Sequence, residues 1–194
     1  KIIQVYREKY SDVRITLLAR PYVSLLNLVK SGEVDLALCS PPFTDDQNLE
    51  YQELFSYKVV LLTPKNHQLQ DRQNLQLSDF VEWPLILPGP ESWVWQELDQ
   101  ALQAKGIKCD VTLSMDSFQS IKRYVEIDMG VAVVGDFTVQ SEDLQKMSVV
   151  NLDHLFLPSA IGVCTLSGKY LGPAVQNFID QLANGSIGPP EVEF

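Results

Sequence analysis

The stretch SFQSIKRYVEIDMGVAVVGD, Ser117 to Asp136, constrains the fold more than any other part of the chain. Phe118, Ile121, Val125 and Met129 recur at spacings of three and four, which places one apolar stripe along a helix. Asp116 or Ser117 can cap its start by accepting hydrogen bonds from first-turn amides, and Gly130 can end it in the left-handed conformation. The run VAVV then continues without a polar residue, as expected of a strand covered on both faces. Helix, stop and covered strand in that order predict an α/β architecture, with Gly135-Asp136 where the strand emerges.

The same pattern recurs along the chain. Residues 1–9 read as a helix, and Arg14 to Leu18 as a strand after the turn at Ser11-Asp12. Tyr22, Leu25, Leu26 and Val29 fall at i, i+3, i+4 and i+7, with Gly32 just past the end. Val34 to Cys39 reads as a strand, Leu49 to Leu62 as an extended region, and PLILPG as another strand. Glu91 to Lys105 is a helix with Val94, Leu98, Ala101 and Leu102 inward, and Lys108 to Leu113 a strand after it. Of Trp93 and Trp95, one is expected to face the core and the other a cleft. Ser148 to Leu152 and Ile161 to Leu166 are strand-like, and a last helix opens at Pro173, a residue suited to a first turn. Strand, helix, strand predicts parallel pairing with right-handed crossovers. The result is two α/β units, residues 1–62 with 166–194 and residues 63–165, joined by two crossings, with ligands expected at the strand ends. The tail from Asn184 is expected to be mobile.

Composition removes several function classes. A net charge of −10 argues against a phosphate-binding surface on this chain, because nucleic-acid affinity rests on Lys and Arg releasing counterions. No apolar run approaches the roughly 20 residues of a membrane helix, so no membrane partner is expected. No secretory signal is visible, and Lys1 begins the sequence as a processed or excised segment would. Cys39, Cys109 and Cys164 lie far apart in apolar runs, which favours reduced, buried thiols and a cytoplasmic location over a disulfide.

Catalytic constellations are scarce. There is no G-x-S-x-G elbow, no G-x-x-x-x-G-K, no G-x-G-x-x-G and no C-x-x-C, so no enzyme activity and no cofactor are expected. His67 and His154 have no partner at metal-ligand spacing, and Asp45-Asp46 reads as a solvated loop pair.

Four segments, in order, resemble the effector-binding domain of LysR-type transcriptional regulators. YSDVRITLL is similar to that family's YP-x-V segment, and LLNLVKSGEVDLAL to its L-x-x-G-x-x-D-x-A hallmark. LLTPKNHQL is similar to its P-x-x-H-P-L, and YVEIDMGVAVV to its V-x-x-G-x-G-I-x-x-L-P. Together they span nearly the whole chain, and SIKRYVEIDMGVAVV followed by LDHLF looks most like the cysteine-regulon branch. Gln68 replaces the family's proline, Asp128 a glycine, and Gly135-Asp136 the usual L-P.

The resemblance implies two Rossmann-like lobes of periplasmic-binding-protein type II form, with a small-molecule effector in the cleft. It also implies a winged helix-turn-helix, upstream of this chain, that alone contacts DNA. The family's first strand would likewise precede Lys1. The family's ligand-facing positions fall on Arg20, Pro21 and Tyr22; on Gly89, Ser92 and Trp93; on Met115, Asp116, Ser117 and Phe118; and on Gly135 and Asp136. An anionic effector held by Arg20 and the helix start at Ser117 is expected. The alternative for Asp116, Ser117 and Asp136 is a purely structural role in cap and turn. A homodimer or tetramer is implied, with the helix of residues 1–10 of one chain near Ser117 to Asp128 of another; Tyr6, Tyr10 and Tyr124 lie beyond the buried stripes. A periplasmic solute-binding protein with the same lobes is the competing reading, and an enzyme on those lobes a third.

Overall fold

The computed structural model describes residues 2–43, 46–72 and 74–185; the expectations for Lys1, Asp45 and the tail from residue 186 lie outside these. By packing, the chain divides into two compact units. One runs through Ser56 and resumes at Ala160, and the other is Tyr57–Ser159.

The first unit contains α1 (Ile2–Lys9), α2 (Tyr22–Lys30), β1 (Ala37–Cys39), β2 (Leu49–Tyr57), and, from the C-terminal part, β8 (Ser159–Leu166) and α6 (Pro173–Asn184). Its sheet has the order β1-β8-β2, with β1 and β8 antiparallel. Val29 of α2 packs with Ala37, Cys39 and Cys164 in one core cluster. Ile179 and Leu182 of α6 pack with Val163 and Ile2 in another, so the last helix covers the first unit's sheet. Tyr6 is buried here, its hydroxyl donating to the carbonyl of Ala174 at 2.7 Å and its ring edge-on to Phe178. Tyr6 is therefore part of its own chain's core and leaves no aromatic surface at that position for a second copy.

The expected strand at Arg14–Leu18 does not form. Residues 13–21 have no regular structure, Leu17 is 71% exposed and Leu18 43%, and the sheet pairs only β1, β8 and β2. High β-propensity does not make a strand without a hydrogen-bonding neighbour.

The second unit contains β3 (Val59–Pro64), α3 (Leu77–Phe80), β4 (Leu85–Leu87), α4 (Trp93–Ala104), β5 (Val111–Ser114), α5 (Phe118–Glu126), β6 (Val131–Gly135) and β7 (Met147–Asn151). Its sheet has the order β5-β4-β6-β3-β7. All residues of β3, β4 and β6 are buried, which is why these strands read as unbroken apolar runs. Ile121 and Val125 of α5 pack on Val60, Leu62, Ile86, Ala132 and Val134 in a single cluster. The expectation of parallel pairing holds for β5-β4-β6; it fails for β1-β8 in the first unit and for β3, which is antiparallel to both β6 and β7. β2, which directly precedes β3, lies in the other sheet, so β3 takes both of its partners from later in the chain.

The stop after α5 also differs from expectation. The left-handed residue is Asp128 (φ 61), not Gly130 (φ 152), and Met129 is 46% exposed and off the buried stripe. Asp tolerates this region better than most residues, and it stands where the LysR motif has its first glycine. Gly130 is required for a different reason: a side-chain carbon there would collide with the carbonyl of Pro84.

Candidate functional site

Because β5, β4 and β6 are parallel neighbours, their C-terminal ends lie along one edge of the second unit's sheet. Each strand delivers one of the expected segments there: β4 leads into Pro88–Trp93, β5 into Met115–Phe118, and β6 into Gly135–Asp136. Ligands of open α/β sheets bind outside such carboxyl ends.

Two helices start at this edge. Ser92 Oγ accepts from the amide of Trp95 at 3.2 Å, and Ser117 Oγ accepts from the amide of Ser120 at 3.3 Å. Both serines therefore act as N-caps, and each leaves earlier first-turn amides without an intrahelical acceptor. Of the two candidates for capping α5, Ser117 takes the role. The Asp116 carboxylate instead lies against the loop after β4, where a side-chain carbon on Gly89 would be only 2.5 Å from its Oδ1.

An aromatic chain closes the β6 end. Trp93 and Phe137 each meet Tyr57, with ring centroids 6.0 Å and 4.8 Å apart, and Phe118 meets Phe137 at 5.8 Å. Gly135 allows this approach, since a side-chain carbon there would strike the Phe137 ring and come within 2.9 Å of Tyr57. Neither Trp93 nor Trp95 is a core residue; both are half-buried, and Val94 between them fills the core.

Asp136 is the most unusual group at the edge. It is 6% exposed, and its Oδ1 has no hydrogen-bond partner among the described residues. Burial pushes its carboxyl above the ordinary range, against the opposing effects of the backbone amides of Lys58 and Phe137 and the Lys58 charge. Lys58 itself is paired with Asp153. The amide of Asp136 donates to the Lys58 carbonyl at 2.9 Å, and Thr138 Oγ1 donates to the Gly135 carbonyl at 2.7 Å, which fixes the turn.

Gly89, Ser92, Trp93, Met115, Asp116, Ser117, Phe118, Gly135 and Asp136 are thus gathered at one edge by topology. Tyr57, Lys58 and Phe137 were not anticipated. Phe137 adjoins Asp136, but Tyr57 reaches the edge through antiparallel pairing of β3 with β6, which no local pattern announces. In the first unit, Arg20 is exposed and its Nη1 donates to the carbonyl of Ala19 at 2.8 Å, while Pro21 is exposed at the start of α2. The Tyr22 hydroxyl donates to the carbonyl of Pro41 at 3.0 Å, and burial raises its pKa. The three cysteines are free thiols; Cys39 and Cys164 are buried and Cys109 half-buried. Among the described residues no cluster of His, Cys, Asp or Glu could hold a metal ion, and no helix is long and apolar enough to cross a membrane.

The chain is similar to known proteins over its whole length. The HTH-type transcriptional regulator cbl of Klebsiella aerogenes is 27% identical over 192 residues, covering 99% of this chain and 60% of that protein. The chain thus spans about three fifths of this curated relative. The solved cofactor-binding domain of the Cbl transcriptional regulator superposes with a TM-score of 0.84 at 24% identity, covering 95% of this chain and 81% of that one. The Synechocystis PCC6803 CcmR regulatory domain in complex with 2-PG also gives 0.84, at 20% identity, covering 96% and 91%. The fold class is accordingly the two-lobed, periplasmic-binding-protein type II-like α/β fold of LysR effector-binding domains, and the relatives include the cysteine-regulon branch that the motifs resemble. With residues 1–186 matched by the LysR substrate binding domain, four motifs in order and this fold, the chain belongs to the LysR substrate-binding domain family.

Proposed function

We propose that this chain is the ligand-sensing part of a LysR-type transcriptional regulator, that it binds a small metabolite at the strand-end edge of its second unit, and that it has no catalytic role. The observation that carries the reading is the convergence of three parallel strand ends and two capped helix starts on one edge, in a chain matched to the family over residues 1–186. The CcmR neighbour holds 2-PG and the QuiR neighbour shikimate, which supports a small-molecule ligand here. The free amides at the starts of α4 and α5 suit an anionic group on that ligand. Arg20, Pro21 and Tyr22 are proposed as ligand-contacting residues of the first unit.

DNA binding is assigned to a winged helix-turn-helix upstream of this chain, and a cytoplasmic homodimer or tetramer is the working state. A shallow hollow along α1, lined by Ile3, Gln4, Arg7, Glu8 and Ser11, and exposed Tyr124, Ile127 and Met129 at the end of α5 are the surfaces offered for self-association.

The test is binding of the full-length gene product to DNA flanking its own gene, by fluorescence anisotropy, with and without a panel of central metabolites. DNA affinity altered by a subset of metabolites is expected. A gene product that carries a cleavable export signal and does not retain DNA would favour a solute-binding protein instead.

A further inference from the structure

The three strand-end segments, residues 88–93, 115–118 and 135–137, contain three charged residues, Glu91, Asp116 and Asp136, all acidic. No Lys or Arg lies in them. The nearby cations are engaged: Lys58 with Asp153, and Lys122 with Asp143 at 2.6 Å and the Thr138 carbonyl at 3.0 Å. In a chain of net charge −10, this edge repels a bare oxyanion and attracts a cation. Beyond the shared sign of charge, Asp136 is 6% exposed and its Oδ1 lacks a hydrogen-bond partner among the described residues. A buried acceptor left unpaired is costly, and a ligand that donates to it removes that cost. The half-buried Trp93 ring, at the end of the same loop as Glu91, suits a cation as well.

We infer that the strand-end edge binds the protonated amine of a small zwitterionic ligand, with Asp136 Oδ1 accepting its hydrogen bond while the first-turn amides of α4 or α5 take its carboxylate. This rests on the ligand-sensing reading above and adds the class of ligand. Neither half alone satisfies the edge: an amine leaves the helix amides empty, and a simple carboxylate leaves Asp136 Oδ1 as it is. A protonated Asp136, favoured by its burial, would accept less well, so binding should weaken as the pH falls into the acid range.

The experiment is calorimetric titration of the full-length gene product with matched acids of one carbon skeleton: L-alanine, lactate and propionate; L-aspartate, malate and succinate; L-phenylalanine, phenyllactate and phenylpropionate; with sulfate as the bare oxyanion. At least one amino acid is expected to bind about 10- to 100-fold more tightly than its unsubstituted acid. Asp136→Asn, of nearly the same shape, is expected to erase that difference while keeping or raising the unliganded melting temperature. Unsubstituted acids or sulfate binding as tightly as the amino acids would overturn the inference and leave the sensing reading standing. Preference for the hydroxy acid, binding by none of the amino acids, or an amino-acid preference that survives Asp136→Asn would overturn it too.

Discussion

Lys122 Nζ lies 2.6 Å from Asp143 Oδ2 and 3.0 Å from the Thr138 carbonyl, with both charged side chains largely covered. Asp143 Oδ2 also accepts from the amide of Gln140 at 2.8 Å. One carboxylate and one ammonium thus tie α5 to the strap that follows Asp136, so the helix start and the strand end are held as one piece. Removing one partner leaves the other charge half-buried and alone. Lys122→Ala should cost about 1–3 kcal/mol, below the range for fully buried pairs, and speed amide exchange across 136–145. Denaturant melts and hydrogen exchange check this; unchanged exchange in the strap would show the pair to be incidental.

Asp128 and Gly130 give a paired stability test. Asp128 sits at φ 61, so Asp128→Gly should stabilise the protein by roughly 0.5–1 kcal/mol. Gly130→Ala should destabilise it, because the added carbon meets the Pro84 carbonyl and backbone must move. Thermal melts of the two variants are expected to shift in opposite directions.

Two groups give pH dependences of opposite sign. Burial lowers the pKa of His67, and the amide of Leu69 donates to His67 Nδ1 at 3.3 Å, a bond that a proton on Nδ1 would end. The unfolded chain then binds more protons, so this contribution is present above the unfolded value of 6.5 and is lost as pH falls through the folded one. Asp136 is raised, so its contribution is full below the unfolded value of 3.8 and is lost as pH rises through the folded one. Melting temperature against pH should therefore flatten below neutrality in His67→Gln, and rise at neutral pH in Asp136→Asn. A fall for Asp136→Asn at neutral pH would mean that its charge is satisfied in the unliganded protein.

Arg20 is exposed and bonded only to its neighbour's carbonyl among the contacts described, so replacing it should leave stability nearly unchanged. As a proposed ligand contact of the first unit, Arg20→Ala should weaken binding by about 1.5–3 kcal/mol, or about 10- to 100-fold. Unchanged affinity would remove it from the site.

Self-association through α1 and α5 predicts that Val5→Asp, at a position 53% exposed, and Tyr124→Asp, 38% exposed, each shift the full-length product toward monomer in sedimentation without lowering its melting temperature. A sedimentation profile identical to wild type would place the contact elsewhere.

Much of the fold was legible wherever burial imposes a local period. The stripe Ile121–Val125 and the apolar runs of β3 and β6 announced their elements because one face or both must leave water. The partners of those strands were not legible: β3 lies antiparallel between β6 and β7, joining residues far apart in sequence. The same long-range pairing brings Tyr57 to Phe137, and that contact and the Asp136 Oδ1 left without a partner among the described residues emerged only with the structure. Arg14–Leu18 failed for a related reason: a strand is defined by its neighbour, and its own sequence supplies none.

A small ligand at the C-terminal edge of β5-β4-β6 would shield the three segments that end there. Hydrogen exchange of the full-length gene product, with and without a metabolite that alters its DNA affinity, tests this most directly. Slowed exchange is expected in residues 88–95, 115–120 and 135–138 together. Protection confined to other segments, with these three unchanged, would contradict it.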